Sequence, residues 1–130
     1  MRSLIDLHCH STVSDGVLTP TELVNHAAEK GVRVLALTDH DDVAGLAEAR
    51  SVAEQHGMNF INGVEISVTW RRRTLHIVGL KINPEYQPLA EGLAAIRAGR
   101  HTRAELIAAS LEKIGVHGAL EGAYLSLIHI

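Results

Sequence analysis

Aromatic side chains are scarce in this sequence, one Trp, one Phe and two Tyr, so it carries no extended platform on which unpaired bases could stack. Positive charge is not in excess either. The formal net charge of −3 removes the broad basic footprint expected for duplex DNA and confines any nucleic-acid contact to local patches. The single cysteine, Cys9, excludes an internal disulfide and fits a reducing compartment. No basic start is followed by a long apolar run, so neither a signal peptide nor a membrane span is expected, and a cytoplasmic location is the default. Repeats, low-complexity segments and linkers are also missing, which leaves one modest domain of 130 residues, 46% of them hydrophobic. What the chain has in excess is histidine. Nine are present, several beside acidic residues, a composition that favours metal chemistry over pure scaffolding.

The stretch Ile5-Asp6-Leu7-His8-Cys9-His10 has the alternation of a strand, with Asp6, His8 and His10 on one face and Ile5, Leu7 and Cys9 on the other, core-facing side. Two imidazoles two residues apart on a strand can share one metal ion, and a neighbouring carboxylate can orient a ring by accepting its second N–H. A loop follows, ending in the turn signal Asp15-Gly16. Thr19-Pro20-Thr21-Glu22 reads as a capping box that starts a helix running to Gly31. Residues 32–37 are apolar and too short for a helix, so they predict a strand buried on both faces. A second helix is expected from about Val43 to His56, then a short strand over 58–61 and an extended run over 63–70. Arg71-Arg72-Arg73 reads as a hairpin tip solvated by its charges, with a return strand over 74–82. From Pro88 to Ile114 apolar residues recur at helical spacing, giving one helix or two with a break near Gly99.

In such βα rhythms ligands gather outside the carboxyl ends of the parallel strands. There the chain places His8, His10, Asp15, Asp39, His40 and Glu65. A mononuclear zinc site needs only three protein ligands, so this larger, carboxylate-containing set implies more than one ion.

Asp6-Leu7-His8-Cys9-His10, Ser14-Asp15-Gly16, Thr38-Asp39-His40-Asp41, Gly63-Val64-Glu65-Ile66-Ser67 and His76-Ile77-Val78-Gly79-Leu80 together resemble the PHP (polymerase and histidinol phosphatase) superfamily. The resemblance is nearest to bacterial members that act as 3′,5′-nucleoside bisphosphate phosphatases and 5′-to-3′ exoribonucleases. It implies an α/β fold: the amino-terminal part, residues 1–123, of a distorted (β/α)7 barrel, incomplete and not closed in this chain. It also implies a trinuclear centre of divalent ions, manganese first and zinc as the alternative. His8 and His10 would hold the first ion with Glu65 bridging it to the third, Asp15 and His40 would hold the second, and His76 the third. Asp6, Asp39 and Asp41 would orient these ligands. Arg100 and Arg103, three apart on a helix, are spaced either to clamp phosphate with planar donors or to solvate the surface.

The implied reaction is hydrolysis of phosphate esters of nucleotides or short RNA by metal-activated hydroxide, with no protein nucleophile, Ser11, Ser14 and Cys9 included. A small-metabolite phosphatase, for example for histidinol phosphate, and a non-catalytic PHP accessory module are the alternatives. Complete family members supply further ligands beyond this length, so the chain alone is expected to bind metal poorly and turn over little. Residues 124–130 leave the family pattern and read as a truncated or misread tail. His26, His56, His101, His117 and His129 are expected to be exposed and outside the site. The oligomeric state is left open.

Overall fold

The computed structural model describes residues 4–128. In chain order the elements are β1 (Leu4–Cys9), α1 (Pro20–Glu29), β2 (Val32–Leu37), α2 (Leu46–Gln55), β3 (Asn59–Trp70), β4 (Arg73–Leu80), α3 (Gln87–Glu112) and α4 (Ala119–Ile128). The four strands form one sheet in the order β1-β2-β3-β4, with β1/β2 and β2/β3 parallel and β3/β4 antiparallel. Both β1 and β4 are edges, so the sheet is open rather than a closed barrel, as expected.

The local reasons are legible. Thr19 caps α1 reciprocally with Glu22, and Pro20 occupies the first turn, where its missing N–H costs nothing. Val24 and Ala27 of α1 and Leu46, Ala49 and Ala53 of α2 then pack with Leu35, Leu37 and Phe60 of the central strands in one apolar core. This core anchors β2 and β3, whose ends carry the polar residues considered below.

Several details depart from the sequence expectation, decide between alternatives it left open, or fall outside it. Strand β1 leaves Ile5 63% and Leu7 37% exposed, and only Cys9 reaches the core, because α1 and α2 pack against β2 and β3 rather than against this edge. Helix α2 begins at Leu46 rather than Val43, since Asp42 Oδ1 accepts the Ala44 N–H and holds the intervening residues in a turn. The two strands expected over 58–61 and 63–70 are one. Asn59–Asn62 pair with β2 and Gly63–Trp70 with β4, so Asn62-Gly63 marks a change of partner. Gly63 is required there: a Cβ would lie 2.7 Å from Thr38 Cγ2 and 2.9 Å from the Leu37 carbonyl oxygen. Helix α3 runs through Gly99 without a break, a cost of only about 1 kcal/mol relative to Ala. Residues 124–128 continue α4, while His129 and Ile130 lie outside the described residues.

The hairpin tip is the strained feature. Arg71 and Arg72 both adopt positive φ, 46° and 64°, between paired Trp70 and Arg73, and the Arg71 guanidinium lies 4.5 Å from the Trp70 ring centroid. Two-residue turns of this hand favour Asn-Gly. The double replacement Arg71→Asn, Arg72→Gly is therefore expected to stabilise the protein by about 1 kcal/mol in urea denaturation. A loss of stability would show that the arginines hold the turn through contacts stronger than its strain.

Candidate metal centre

The site is built from the ends of β1 and β2, the loops after them, and the β3/β4 hairpin. Asp39, 2% exposed, accepts the Ser11 N–H and Ser11 hydroxyl, each at 2.7 Å, and the Ser14 hydroxyl at 2.6 Å. These bonds fold residues 11–16 back over the sheet and present Asp15. At Gly16 the backbone passes so close that a Cβ would stand 2.3 Å from the His10 carbonyl oxygen. His40 forms a parallel bridge with Glu65: the Glu65 N–H donates to the Asp39 carbonyl and the Asp41 N–H to the Glu65 carbonyl, both at 3.0 Å. His76 enters opposite Ser67 across the hairpin.

All six expected ligands come together. Glu65 Oε2 lies 2.8 Å from His8 Nε2, 2.9 Å from His10 Nε2 and 3.8 Å from His40 Nδ1, and Glu65 Oε1 lies 3.3 Å from His76 Nδ1. Asp15 lies 3.0 Å from His10 Nδ1 and 3.6 Å from His40 Nε2. Donors about 2.1 Å from one tetrahedral ion stand roughly 3.4 Å apart, the spacing these pairs approach. The donors form three overlapping groups, His8/His10/Glu65, His10/Asp15/His40 and His40/Glu65/His76, each able to hold a metal ion.

The donor set fits divalent ions for a second reason. The Nδ1 atoms of His10 and His40 are buried without a hydrogen-bond partner, even though Asp15 approaches one of them to 3.0 Å. Buried, unsatisfied ring nitrogens cost free energy that metal ligation would recover. Burial raises the Glu65 carboxyl pKa, but the His8 hydrogen bond and the charges of His40, His8 and His10 outweigh it and hold the group below its ordinary value. Glu65 is thus an anion at neutral pH, sunk among imidazoles.

The other expected residues divide. Asp6 accepts the His8 backbone N–H at 3.1 Å, Asp39 binds the Ser11 loop, and Asp41 binds the Ser67 N–H at 2.6 Å. In each case the carboxylate fixes backbone or hydroxyl groups rather than a ligand imidazole. Asp41, fully buried and at φ 52°, also receives the Arg100 guanidinium, which donates further to Ser67 Oγ at 3.1 Å. Arg97 donates to the Asp41 carbonyl at 2.6 Å and lies 3.7 Å from Asp42. The sequence reading passed over Arg97, although it stands three residues before Arg100 on the same helix face. Cys9 donates to the Ala36 carbonyl, and burial, then Asp6 and Asp39, pushes its thiol up to about 12, so it is an inert packing group. His26, His56, His101 and His117 are exposed and away from the cluster. In front of this cluster lies a cavity of about 410 Å3 whose walls include Asp15, His40, Ser67, His76 and Arg100.

A sheet that delivers imidazoles and carboxylates from successive strand ends to one rim defines a metal-binding α/β domain. The chain belongs to the PHP domain family, whose model matches residues 6–120. It is 55% identical over 119 residues to the 3′,5′-nucleoside bisphosphate phosphatase of Chromobacterium violaceum, covering 92% of this chain and 42% of that protein. A 5′-3′ exoribonuclease of Haemophilus influenzae is 49% identical over 123 residues, covering 95% of this chain and 45% of the relative. The structure of an amidohydrolase from Chromobacterium violaceum, determined with sulfate and no metal, superposes with a TM-score of 0.84 at 54% identity, covering 92% of this chain and 42% of that one. The chain therefore spans less than half the length of these relatives. Among the described residues no helix is long and apolar enough to cross a membrane.

Proposed function

We propose that this chain is the ligand-bearing amino-terminal portion of a metal-dependent phosphoesterase acting on nucleotides, with 3′,5′-nucleoside bisphosphates and the ends of short RNA as substrates. The observation that carries the reading is the convergence of His8, His10, Asp15, His40, Glu65 and His76 on one another in three overlapping triads. Three divalent ions, manganese in preference to zinc, suit a set that mixes carboxylate oxygen with imidazole nitrogen. When bound, such ions activate water near neutral pH and neutralise charge on a phosphoryl group.

The protein's own contribution is positional. Glu65 offers its two oxygens to different triads and so sets their spacing. Asp15 stands at the mouth on a loop pinned by Asp39, while Asp41 and Arg100 hold the His40 loop against β3 and α3. The cavity's Ser14 hydroxyl is spent on Asp39, where it pins the loop, and Ser67 Oγ accepts from Arg100, so attack by water is the route consistent with the donor set.

The relatives' greater length supports a second part of the proposal: ligands from the remaining length complete the site, and the 130 residues alone turn over little. The test joins residues 1–120 to the carboxyl-terminal portion of the Chromobacterium violaceum phosphatase and measures phosphate release from adenosine 3′,5′-bisphosphate with manganese. The chimera is expected to be active and its His8→Ala variant to lose at least about a hundredfold in rate, about 2.7 kcal/mol of transition-state stabilisation. An unaffected variant would remove the metal-centre assignment, and robust turnover by the isolated chain would overturn the incompleteness argument.

A further inference from the structure

The sheet has two open edges, and they differ in how they are defended against a further strand. Strand β1 is six residues long, breaks register twice against β2 and carries Asp6, all features that discourage edge pairing. Strand β4 has none of them. Its eight residues pair with β3 without a shift, residues 74–80 include no acidic residue, lysine, arginine or proline, and Leu75, Ile77, Val78 and Leu80 are exposed. We propose that β4 is a self-association surface, on which a second copy of this chain adds its own β4 antiparallel, so that two four-stranded sheets become one of eight strands.

Three observations select a second copy as the occupant. The chain exposes 8667 Å2, whereas a compact monomer of 14.1 kDa exposes about 6,700 Å2. The surplus, about 1,900 Å2, exceeds the roughly 800 Å2 per partner that a stable interface buries.

The strand is also self-complementary. Run antiparallel to itself about a two-fold axis near Ile77, its apolar residues meet apolar residues, and the nearest charges, Arg73 and Lys81, lie at the ends. Such pairing occupies the outward N–H and C=O groups of both edges at once.

The hairpin's two faces differ as well. Ile66 pairs with Ile77 and Val68 with Leu75 across the strands, and Trp70 extends this apolar ladder at the tip. Trp70, Leu75 and Ile77 are exposed, so the ladder is largely bare. Alternation puts Thr74 and His76 on the opposite face. Helix α3 stands over that face across a cavity of about 510 Å3, lined from the helix by Arg100 and by Arg103, which has no ion-pair partner among the described residues. The chain's own helix thus attends to the polar face, and a second copy would continue the apolar one.

Sedimentation equilibrium of the whole chain at about 1–100 µM tests this, with EDTA present so that no ion bridges two copies through His76. The mass is expected to rise with concentration from 14.1 kDa toward twice that value. Ile77→Lys is expected to raise the dissociation constant at least about tenfold with an unchanged circular-dichroism spectrum, because it sets two like charges near the two-fold axis. Ile77 is 52% exposed in the single copy, so the fold tolerates the change. Ile5→Lys, on the defended edge, is expected to leave association as it was. Amide exchange in β4, but not in β1, is expected to slow as concentration rises. A 14.1 kDa species throughout, or association that Ile77→Lys leaves intact, would overturn the proposal. So would β4 amides protected only when the chain is joined to the carboxyl-terminal portion of the Chromobacterium violaceum phosphatase, since that portion would then be the occupant.

Discussion

Arg100→Ala is expected to destabilise the protein by about 3 kcal/mol, because it strands a carboxylate that has no access to water. Asp41 is fully buried, and its side chain has two partners, the Ser67 N–H and the Arg100 guanidinium. The amide remains when the arginine is removed, but the charge is no longer balanced. The same residue holds a positive φ of 52°, a conformation unfavourable for a side chain bearing a Cβ. Its bonds to β3 and α3 are what keep it there, and His40 is the residue immediately before it. Neutralising the carboxylate in the same background, Arg100→Ala with Asp41→Asn, is expected to restore a large part of the loss, since an amide left in that pocket carries no charge. Urea denaturation of the four members of this cycle gives the coupling directly. A single-variant loss below about 0.5 kcal/mol would mean that Arg100 is an ordinary surface arginine and that another contact holds α3.

This pair also shows where sequence reading stops. Asp41 and Arg100 are 59 positions apart, and spacing on a helix made Arg100 and Arg103 look equivalent. Only the packing of α3 against the His40 loop tells a compensated arginine from a free one. By contrast the clustering of the candidate residues was legible, because each lies in or beside a short strand whose period fixes which side chains share a face: His8 with His10, Glu65 with Ser67. The strands that carry them are recognisable by composition, and the turns between them by Asp15-Gly16 and by the capping box at Thr19. The continuity of β3 was hidden for a physical reason. A glycine required by a close approach to Thr38 looks, in sequence, like one that ends a strand. The exposure of Ile5 and Leu7 was equally hidden, since alternation reports which side chains face together but not whether anything covers that face.

Glu65→Ala is the substitution with the largest expected effect on metal binding, a loss of at least about a hundredfold in manganese affinity. Its carboxylate is shared by two of the three triads and approaches four imidazoles. Removing it leaves those triads with two donors each, and only His10/Asp15/His40 intact. The fold should survive the change, because the residue's N–H and carbonyl, not its side chain, make the bonds to Asp39 and Asp41 that join β3 to the His40 loop. Loss of binding with an unchanged circular-dichroism spectrum is therefore the expected pair of results. Equal affinity in the variant would mean that the ion sits elsewhere.

The central claim is that imidazoles from separate strands surround shared ions, and paramagnetic broadening tests it even if binding by this chain is weak. Substoichiometric manganese added to the labelled protein is expected to broaden the ring resonances of His8, His10, His40 and His76 first and to spare those of His26, His56, His101 and His117. In Glu65→Ala that selectivity is expected to collapse. Broadening spread evenly over the histidines, or none at the four clustered rings, would contradict the account.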